Sequence, residues 1–353
     1  MTEGSTQLVT AAIAEKKKGI TLNDILDSYL AERPNLKESS RKFYRLMLDT
    51  YLEDWKIRPI REIDYQDVKE RHLFLSKKID PPVKAEKNER TDKKKIRRNG
   101  PGVANSVMKT LRVLFNHAVS EHPEIIAVNP VDRLKAWNEL KPRTGYLTVG
   151  QLPAWHKAAE ESKNLAPANA LLLLLFTGLR SKSEAFGLKW ENVDLKGKVM
   201  VFHDTKNGTD LELPITNKVK VLLESMNSNR ENEFVFPSPV SRKTSDGKVI
   251  SSHIKDVRDE LSKINQVAKV TITPHDLRRT FTTIAESLDI SPYTIKALIN
   301  HSDKKASDVT GGYIQIPLER KRKALQMIED EIMRIVAWKK STDVVPITRE
   351  AAA

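Results

Sequence analysis

Three short motifs lie within residues 274–313: PHDLRRTF at 274–281, INHS at 299–302 and TGGY at 310–313. Together they contain two histidines, two adjacent arginines and a tyrosine that follows two glycines. Arginine presents a fixed fork of N–H donors that matches the non-bridging oxygens of a phosphate. Because glycine allows wide backbone freedom, the tyrosine can act as a mobile nucleophile. The stretch therefore predicts a site that binds a phosphate group and attacks it.

PHDLRRTF also has the pattern of a helix start, with Pro274 in the first turn. His275 and Arg278 then share one helix face at a spacing of i, i+3, so both can reach the same ligand. The alternative is a histidine that caps the helix and an arginine that pairs with Asp276. No HExxH pattern and no cysteine occurs in the chain, so no zinc site and no other metal site is expected.

Two further basic residues lie well upstream of this stretch. Residues 168–177 are apolar on every side, which predicts a helix buried in a domain core, and Arg180 follows it. Arg180 can serve the phosphate site or form an ion pair with Glu184. Lys206 lies in an Asn-Gly turn at 205–210, between two short alternating runs that are typical of a β-hairpin.

The length and charge of the chain limit its class. A chain of 353 residues exceeds one hydrophobic core, so two domains are expected. The net charge of +13 predicts an acidic partner, with nucleic acid favoured over an anionic membrane. The longest apolar run, residues 170–176, is too short to span a membrane, and the N-terminus has no signal-peptide profile. A soluble, cytoplasmic protein is therefore expected. The absence of cysteine excludes disulfides and thiolate nucleophiles.

The domain boundary is predicted at 142/143, in a stretch with proline and glycine but little periodicity. Residues 1–20 are interpreted as an N-terminal tail or the stub of a missing arm-binding domain, and residues 341–353 as a tail. Helices are predicted at 22–33, 65–77, 103–120, 252–267 and 318–338. Another helix, the second in the chain, is predicted to begin after Ser39 and Ser40, which cap it. The predicted core stripes are Phe43, Leu46, Met47, Thr50 and Tyr51 in the second helix, and Val107, Leu111, Leu114, Phe115 and Ala118 in the fourth.

The segment 84–98 contains eight basic and three acidic residues, so it cannot bury a core face. It is either a merely solvated loop or an arm that contacts DNA phosphates. The candidate DNA-contact residues are Lys93, Lys94, Lys95, Arg97 and Arg98, together with Lys109 and Arg112 on the next helix.

Taken in order, TGLR with Arg180, the hairpin with Lys206, HDLRR, INHS and TGGY resemble the tyrosine recombinase family, specifically the phage-type integrases. The resemblance covers residues 143–340, and the helical residues 21–142 look like the core-DNA-binding domain of that family. The resemblance implies a mainly α (α+β) fold, in which this helical domain precedes a catalytic domain with a small antiparallel β-sheet.

The resemblance also implies a catalytic set that needs no cofactor, metal or ATP. In that set Tyr313 is the nucleophile that forms a 3′-phosphotyrosine, and Arg180 and Arg278 bind the non-bridging oxygens. Lys206 is the general acid for the leaving 5′-oxygen. His275 assists proton transfer, and His301 hydrogen-bonds the phosphate. Two departures from the family pattern stand out. Glu184 falls four residues after Arg180 instead of three, and the interval from His301 to Tyr313 is longer than usual.

The implied function is site-specific DNA recombination through a Holliday junction, which integrates or excises a mobile element. The implied partners are double-stranded DNA attachment sites, a host DNA-bending protein and an excisionase, with no membrane partner. A homotetramer is expected through the C-terminal helix, whose apolar stripe is Leu318, Leu325, Ile328, Ile332 and Ile335; intramolecular packing of that stripe is the alternative. The rival functions are a type IB topoisomerase-like relaxing enzyme and a non-catalytic DNA-binding repressor or architectural protein.

Overall fold

The computed structural model describes residues 19–77, 99–238, 242–243, 249–250, 252–301 and 314–338. The chain divides into two compact units, residues 1–142 and 143–353. Each unit has its own cluster of buried apolar side chains. The basic segment at 84–98, interpreted as a solvated loop or a DNA-contacting arm, lies outside the described residues. Among the helices of the described ranges, none combines the length and apolarity that crossing a membrane requires.

The regular elements in the described residues of unit 1 are all helices. Its α-helices are α1 (Leu22–Ala31), α2 (Glu38–Tyr51), α3 (Tyr65–Ser76) and α4 (Pro101–Glu121), with short 3-10 turns at Glu53–Trp55, Ile60–Glu62 and Pro130–Arg133. Thr21 begins α1 with a capping box to Asp24, as expected for a threonine at the N-cap. The five residues predicted as the core stripe of α4 are all fully buried, so that prediction is confirmed.

Helix α2 corrects two predictions. It begins at Glu38, so the two serines lie in its first turn instead of capping it. The predicted core residues Phe43 and Leu46 are 42% and 40% exposed, whereas Leu48 is fully buried. Met47 is buried as predicted, and the inward face also contains Leu48 and Tyr44. The ring of Tyr44 packs edge-on against Tyr29 with centroids 5.3 Å apart. Two overlapping apolar stripes occur in this helix, and the aromatic contact favours the one that contains Leu48.

Unit 2 is mainly helical and contains a small antiparallel sheet, which confirms the predicted fold class. Its α-helices are α5 (Leu152–Glu160), α6 (Leu165–Thr177), α7 (Asn217–Ser228), α8 (Arg258–Ala268), α9 (Pro274–Ser287), α10 (Pro292–Leu298) and α11 (Leu318–Ala337). Its strands are β1 (Val193–Asp194), β2 (Val199–Phe202), β3 (Leu211–Pro214), β4 (Arg242–Lys243) and β5 (Val249–Ile250). The first three strands form one sheet in the order β1-β2-β3, and β4 pairs with β5.

Helix α6 lies at the centre of unit 2 and contacts α5, α7, α8, α9 and α11. Every residue from Ala170 to Thr177 is buried, because helices cover α6 on all sides. The prediction of a fully buried helix is therefore confirmed. The β2–β3 hairpin also forms as predicted, with Phe202 paired to Leu211 at its closed end.

Helix α8 is shorter than predicted, since it begins at Arg258 and not near 252. The residues before it are extended: His253 pairs with Pro237, and Ile254 donates its N–H to the carbonyl of Phe236 at 3.0 Å. Ile254 is buried in this conformation. A tertiary pairing therefore replaces the helical turn that the sequence pattern favoured.

Helix α11 is part of the unit 2 core. Leu325, Ile328, Ile332 and Ile335 are all buried in the apolar cluster of their own unit. Glu329, also buried, accepts hydrogen bonds from backbone N–H groups at the start of α7. In this chain the residues from Leu325 onward therefore adopt the intramolecular packing that was the alternative. The homotetramer through this helix stays a prediction.

Candidate active site

The end of α6 places Arg180 through a glycine that no other residue can replace without strain. Gly178 ends the helix in the left-handed conformation, with φ at +66°. A Cβ at this position would lie 2.5 Å from Cδ1 of Phe281 on α9. The close approach of α6 and α9 therefore requires glycine here, and the chain then turns so that Leu179 is buried and Arg180 is partly exposed.

Glu184 holds Arg180 in place. Its carboxylate accepts the backbone N–H of Arg180 at 2.7 Å and Nη1 of the same residue at 2.8 Å. The Glu184 side chain is fully buried, whereas that of Arg180 is 21% exposed. The ion pair that was the alternative role of Arg180 is therefore present, and it leaves part of the arginine accessible to a ligand.

A wide helical turn explains why Glu184 lies one residue farther from Arg180 than the family pattern has it. Residues Ser181–Ala185 form a π-helical turn, in which the N–H of Ala185 bonds the carbonyl of Arg180 at 3.0 Å. Such a turn contains one more residue than an α-helical turn, and π turns are frequent at functional sites. The extra residue is thus absorbed locally, and the carboxylate still reaches the arginine.

Arg278 is buried on α9 and donates to two carbonyl oxygens. Nη1 lies 2.8 Å from the oxygen of Gly178, and Nη2 lies 2.7 Å from that of Ile299. Burial, followed by the nearby charge of Arg180, lowers the pKa of Arg278 to about 10. The guanidinium remains protonated at neutral pH, so two positive charges lie side by side at this site. Such an arrangement favours an anionic ligand.

The structure contradicts the alternative in which His275 caps the helix and Arg278 pairs with Asp276. The N-cap of α9 is Thr273, whose N–H donates to Asp276 at 2.8 Å, so His275 is not the cap. Asp276 pairs with Arg279 at 2.7 Å and not with Arg278. His275 and Arg278 are therefore left on one face of the first turns of α9.

His275 is exposed and its pKa is lowered from the ordinary value. The main cause is partial desolvation, which disfavours the charged imidazolium. The positive charges of Arg279 and Arg278 lower the pKa further. The imidazole is consequently neutral at pH 7, the form that can accept a proton.

The hairpin that carries Lys206 reaches the same site. Lys206 is exposed in the turn between β2 and β3, and both of its neighbours bond to Asn300. Asn207 donates its side-chain amide to the carbonyl of Asn300 at 2.7 Å, and Asn300 donates its own amide to Oγ1 of Thr205 at 2.6 Å. The carbonyl of Asn300 also accepts from Nη1 of Arg180 at 3.1 Å.

His301 follows Asn300 directly and is exposed, with its N–H bonded to the carbonyl of Lys296 at 2.9 Å. Tyr313 lies outside the described residues. Of the predicted catalytic set, the structure thus brings together Arg180, Arg278 and the Lys206 turn around residues 299–301, with His275 on the same helix as Arg278. Sequence reasoning missed Asn207 and Asn300; each lies next to a predicted catalytic residue, but asparagines in turns are too common to attract attention.

Of the candidate DNA-contact residues in unit 1, only the two on α4 lie within the described residues. Lys93, Lys94, Lys95, Arg97 and Arg98 lie outside the described residues. Lys109 is exposed on α4, as expected for a phosphate contact. Arg112 is only partly exposed: its guanidinium lies 4.9 Å from the centre of the Trp137 ring, and Nε lies 3.1 Å from Oδ1 of Asp132. The Arg112 side chain therefore already has partners within unit 1.

Comparison with known proteins agrees with this geometry. Residues 146–316, which include the whole candidate site, match the phage integrase family. This part of the chain is similar to the tyrosine recombinases of that family. Prophage integrase IntF of Escherichia coli (strain K12) is 28% identical over 188 residues, which are 52% of this chain and 38% of that protein. Tyrosine recombinase XerA of Thermococcus kodakarensis is 30% identical over 160 residues, 44% of this chain and 52% of that protein.

The integrase fold is shared with solved structures. A lambda integrase tetramer bound to a Holliday junction superposes with a TM-score of 0.59 at 18% identity, and the match covers 85% of this chain and 82% of that one. The Tn1549 transposon integrase in complex with circular intermediate DNA gives a TM-score of 0.58 at 17% identity, covering 86% and 98%. The chain spans about half the length or less of the two curated relatives named above.

Proposed function

We propose that this chain is a site-specific DNA recombinase that cuts and rejoins DNA through a 3′-phosphotyrosine intermediate. The observation that carries the proposal is the pair of arginines beside one site. Arg180 and Arg278 bond to the consecutive carbonyls of Asn300 and Ile299, and one buried carboxylate, Glu184, accompanies them. A phosphodiester brings the negative charge that this arrangement lacks.

The proposed cleavage step transfers a phosphoryl group from the 5′-oxygen of DNA to the phenol oxygen of Tyr313. The bond from phosphorus to the tyrosine oxygen forms while the bond to the 5′-oxygen breaks. Neutral His275 accepts the phenol proton, and the ammonium group of Lys206 gives a proton to the leaving 5′-oxygen. Arg180 and Arg278 stabilise the charge that develops on the non-bridging oxygens.

The same chemistry runs backwards to rejoin strands. A phenol with a pKa of about 10 is a fair leaving group, so the 5′-hydroxyl of another strand can displace the tyrosine. The energy of the phosphodiester is retained in the intermediate, and ATP is not needed. Strand exchange between two duplexes through a Holliday junction follows from two such exchanges.

DNA binding is assigned mainly to electrostatic contacts. The net charge of +13, the exposed Lys109 and the basic segment at 84–98 support binding to phosphates with an affinity that falls steeply with salt. The lambda integrase in the compared structure is a tetramer on a Holliday junction. We propose a comparable tetramer here, joined through the C-terminal helix. The likeness to prophage and transposon integrases supports integration and excision of a mobile element at attachment sites, with a host DNA-bending protein and an excisionase as further partners.

A nicked suicide substrate tests the proposal. Cleavage near the nick releases a short strand that diffuses away, so the covalent complex accumulates and is seen as a shifted band on a denaturing gel. Wild type is expected to form this complex and Tyr313→Phe to form none, while the control Tyr146→Phe, which alters an exposed tyrosine, behaves as wild type. A wild type that binds DNA but yields no complex, or a Tyr313→Phe variant that yields as much, would refute the proposal and leave the repressor or architectural role.

Strand exchange separates the recombinase from the relaxing enzyme. A recombinase joins strands of two duplexes that share the same site and passes through a Holliday junction, which native gels resolve. A topoisomerase-like enzyme relaxes supercoiled plasmid without a specific site and gives no junction. Relaxation without exchange would favour that alternative.

A further inference from the structure

The turn that carries Lys206 is held by bonds within itself and by bonds to Asn300. Within the turn, Thr205 is fully buried and its hydroxyl donates to the carbonyl of Thr209 at 2.8 Å, while the N–H of Gly208 bonds the carbonyl of Thr205 at 2.9 Å. These local bonds fix the shape of the turn. They do not fix where the turn lies relative to the arginines.

That second task falls to Asn207 and Asn300. The amide of Asn207 bonds the carbonyl of Asn300 at 2.7 Å, and the amide of Asn300 bonds Oγ1 of Thr205 at 2.6 Å. The two bonds therefore involve the residues directly before and after Lys206, which are Thr205 and Asn207. Both are shorter than the usual 2.9 Å or so of an amide hydrogen bond, and both are shielded by partial burial of the asparagines.

Asn300 is itself a fixed point. Its backbone lies in the left-handed region, with φ at +49°, a conformation that asparagine tolerates better than most residues. Its carbonyl accepts from Arg180, and the preceding carbonyl, that of Ile299, accepts from Arg278. The anchor of the hairpin is therefore the same two-residue piece of backbone that positions both arginines.

We propose that Asn207 and Asn300 are positioning residues, which hold the ammonium group of Lys206 in register with the phosphate bound by Arg180 and Arg278. This inference rests on the proposed function of the site. Without the two bonds the hairpin still folds, but Lys206 samples positions away from the leaving 5′-oxygen. The arginines keep their own bonds, so phosphate binding is retained and only proton donation suffers.

A substrate that does not need a proton donor isolates this role. When sulfur replaces the bridging 5′-oxygen at the scissile phosphate, the leaving group is a thiolate, whose conjugate acid has a pKa near 8.5, far below that of an alcohol. Such a group departs without protonation. Loss of general-acid catalysis therefore slows cleavage of the oxygen substrate and spares the sulfur substrate, whereas loss of phosphate binding slows both.

The experiment measures single-turnover cleavage of both substrates by wild type, Asn207→Ala and Asn300→Gly. Glycine tolerates the left-handed backbone and keeps the carbonyl that Arg180 uses, so Asn300→Gly removes only the side-chain bond. Each variant is expected to lose about 10- to 100-fold on the oxygen substrate, part of the usual contribution of a general acid, and less than about 3-fold on the sulfur substrate. Lys206→Ala should show the same selective loss, Arg180→Ala should lose on both, and Asn227→Ala, an exposed asparagine of α7, on neither.

Equal losses on the two substrates, or no loss on either, would overturn the positioning role. A selective loss in one asparagine variant only would assign the role to that residue alone and overturn it for the other. Failure of the proposed function looks different, because wild type would then form no covalent complex with either substrate. Melting temperatures close to that of wild type exclude unfolding as the cause of a rate loss.

Discussion

Replacing Glu184 with glutamine removes the negative charge that holds Arg180 and changes the shape of the side chain little. In the native protein the carboxylate accepts two hydrogen bonds from Arg180, at 2.7 and 2.8 Å, and its side chain is fully buried. Glutamine has a single acceptor oxygen, so one of the two donors of Arg180 would face the NH2 group. The arginine is then no longer fixed at both its backbone and its guanidinium.

The expected cost follows from these contacts. A hydrogen bond to a charged group contributes about 1.5–3 kcal/mol, and a neutral replacement about 1 kcal/mol. Losing one charged bond and weakening the other gives a range of about 2–5 kcal/mol. Because the Arg180 side chain is 21% exposed, water can solvate it in part, so we expect about 2 kcal/mol. If the same free energy is lost from transition-state stabilisation, cleavage slows about 30-fold.

Two measurements check this expectation for Glu184→Gln: the free energy of unfolding in urea, and the rate of covalent complex formation on the suicide substrate. Glu161→Gln is the matched control. It also removes an acidic partner at i, i+4, but the Lys157–Glu161 pair is 3.7 Å apart and its side chains are 74% and 65% exposed. An exposed pair of this kind contributes less than about 1 kcal/mol, so the control should resemble wild type.

Glu184→Gln could also fail to show any effect. A variant with the unfolding midpoint and cleavage rate of wild type would mean that Arg180 is positioned without the carboxylate, and the interpretation of the π turn as a device that keeps this pair would be refuted. A variant that loses stability but cleaves at the normal rate would restrict Glu184 to a structural role.

Three further predictions concern unit 2. Gly178→Ala should destabilise it by about 2–4 kcal/mol in urea unfolding, because a Cβ would clash with Phe281 in a left-handed backbone; a loss below about 1 kcal/mol would contradict this. Arg278→Lys should bind DNA within about 3-fold of wild type in filter binding but cleave at least about 100-fold more slowly, since one ammonium cannot replace the bidentate fork; equal losses of binding and cleavage would argue against it. Burial lowers the pKa of His156, so the unfolded chain takes up a proton below pH 6.5 that the folded chain refuses. The contribution of His156 to the free energy of unfolding should therefore be fully present above about pH 6.5 and be lost as the pH falls below that value. In His156→Gln the free energy of unfolding should fall less over the same range. Urea titrations between pH 5 and 8 check this, and equal slopes of the free energy against pH in the two proteins would rule it out.

The parts of the fold that the sequence predicted well are those with strong local signals. The start of α1 at Leu22, the core stripe of α4, the apolar stretch of α6 and the Asn-Gly hairpin each follow a pattern formed by residues near one another in the chain. The predictions failed where distant residues compete. In α2, Leu48 is buried and Phe43 is exposed, because the ring of Tyr29 packs against Tyr44 of that helix. Before α8, His253 pairs with Pro237, so the residues predicted as the first helical turns are extended.

An amphipathic stripe predicts that a helix face is buried, but not what covers it. For α11 the sequence left intramolecular packing and subunit exchange open, and the structure shows that the core of unit 2 covers the stripe. The same limit applies to charged residues, because Arg112 looks like an exposed phosphate contact until Trp137 and Asp132 are seen beside it.

The sequence by itself predicted which residues hold and attack a phosphate, because their chemistry and order resemble those of one family. Only the tertiary structure decided how these residues are held. Arg278 reaches the carbonyl of Gly178, 100 residues away, and Asn300 reaches Thr205, 95 residues away. Backbone carbonyls and turn asparagines carry no distinctive sequence pattern, so their part in the site becomes visible only when the packing of α6 against α9 brings them together.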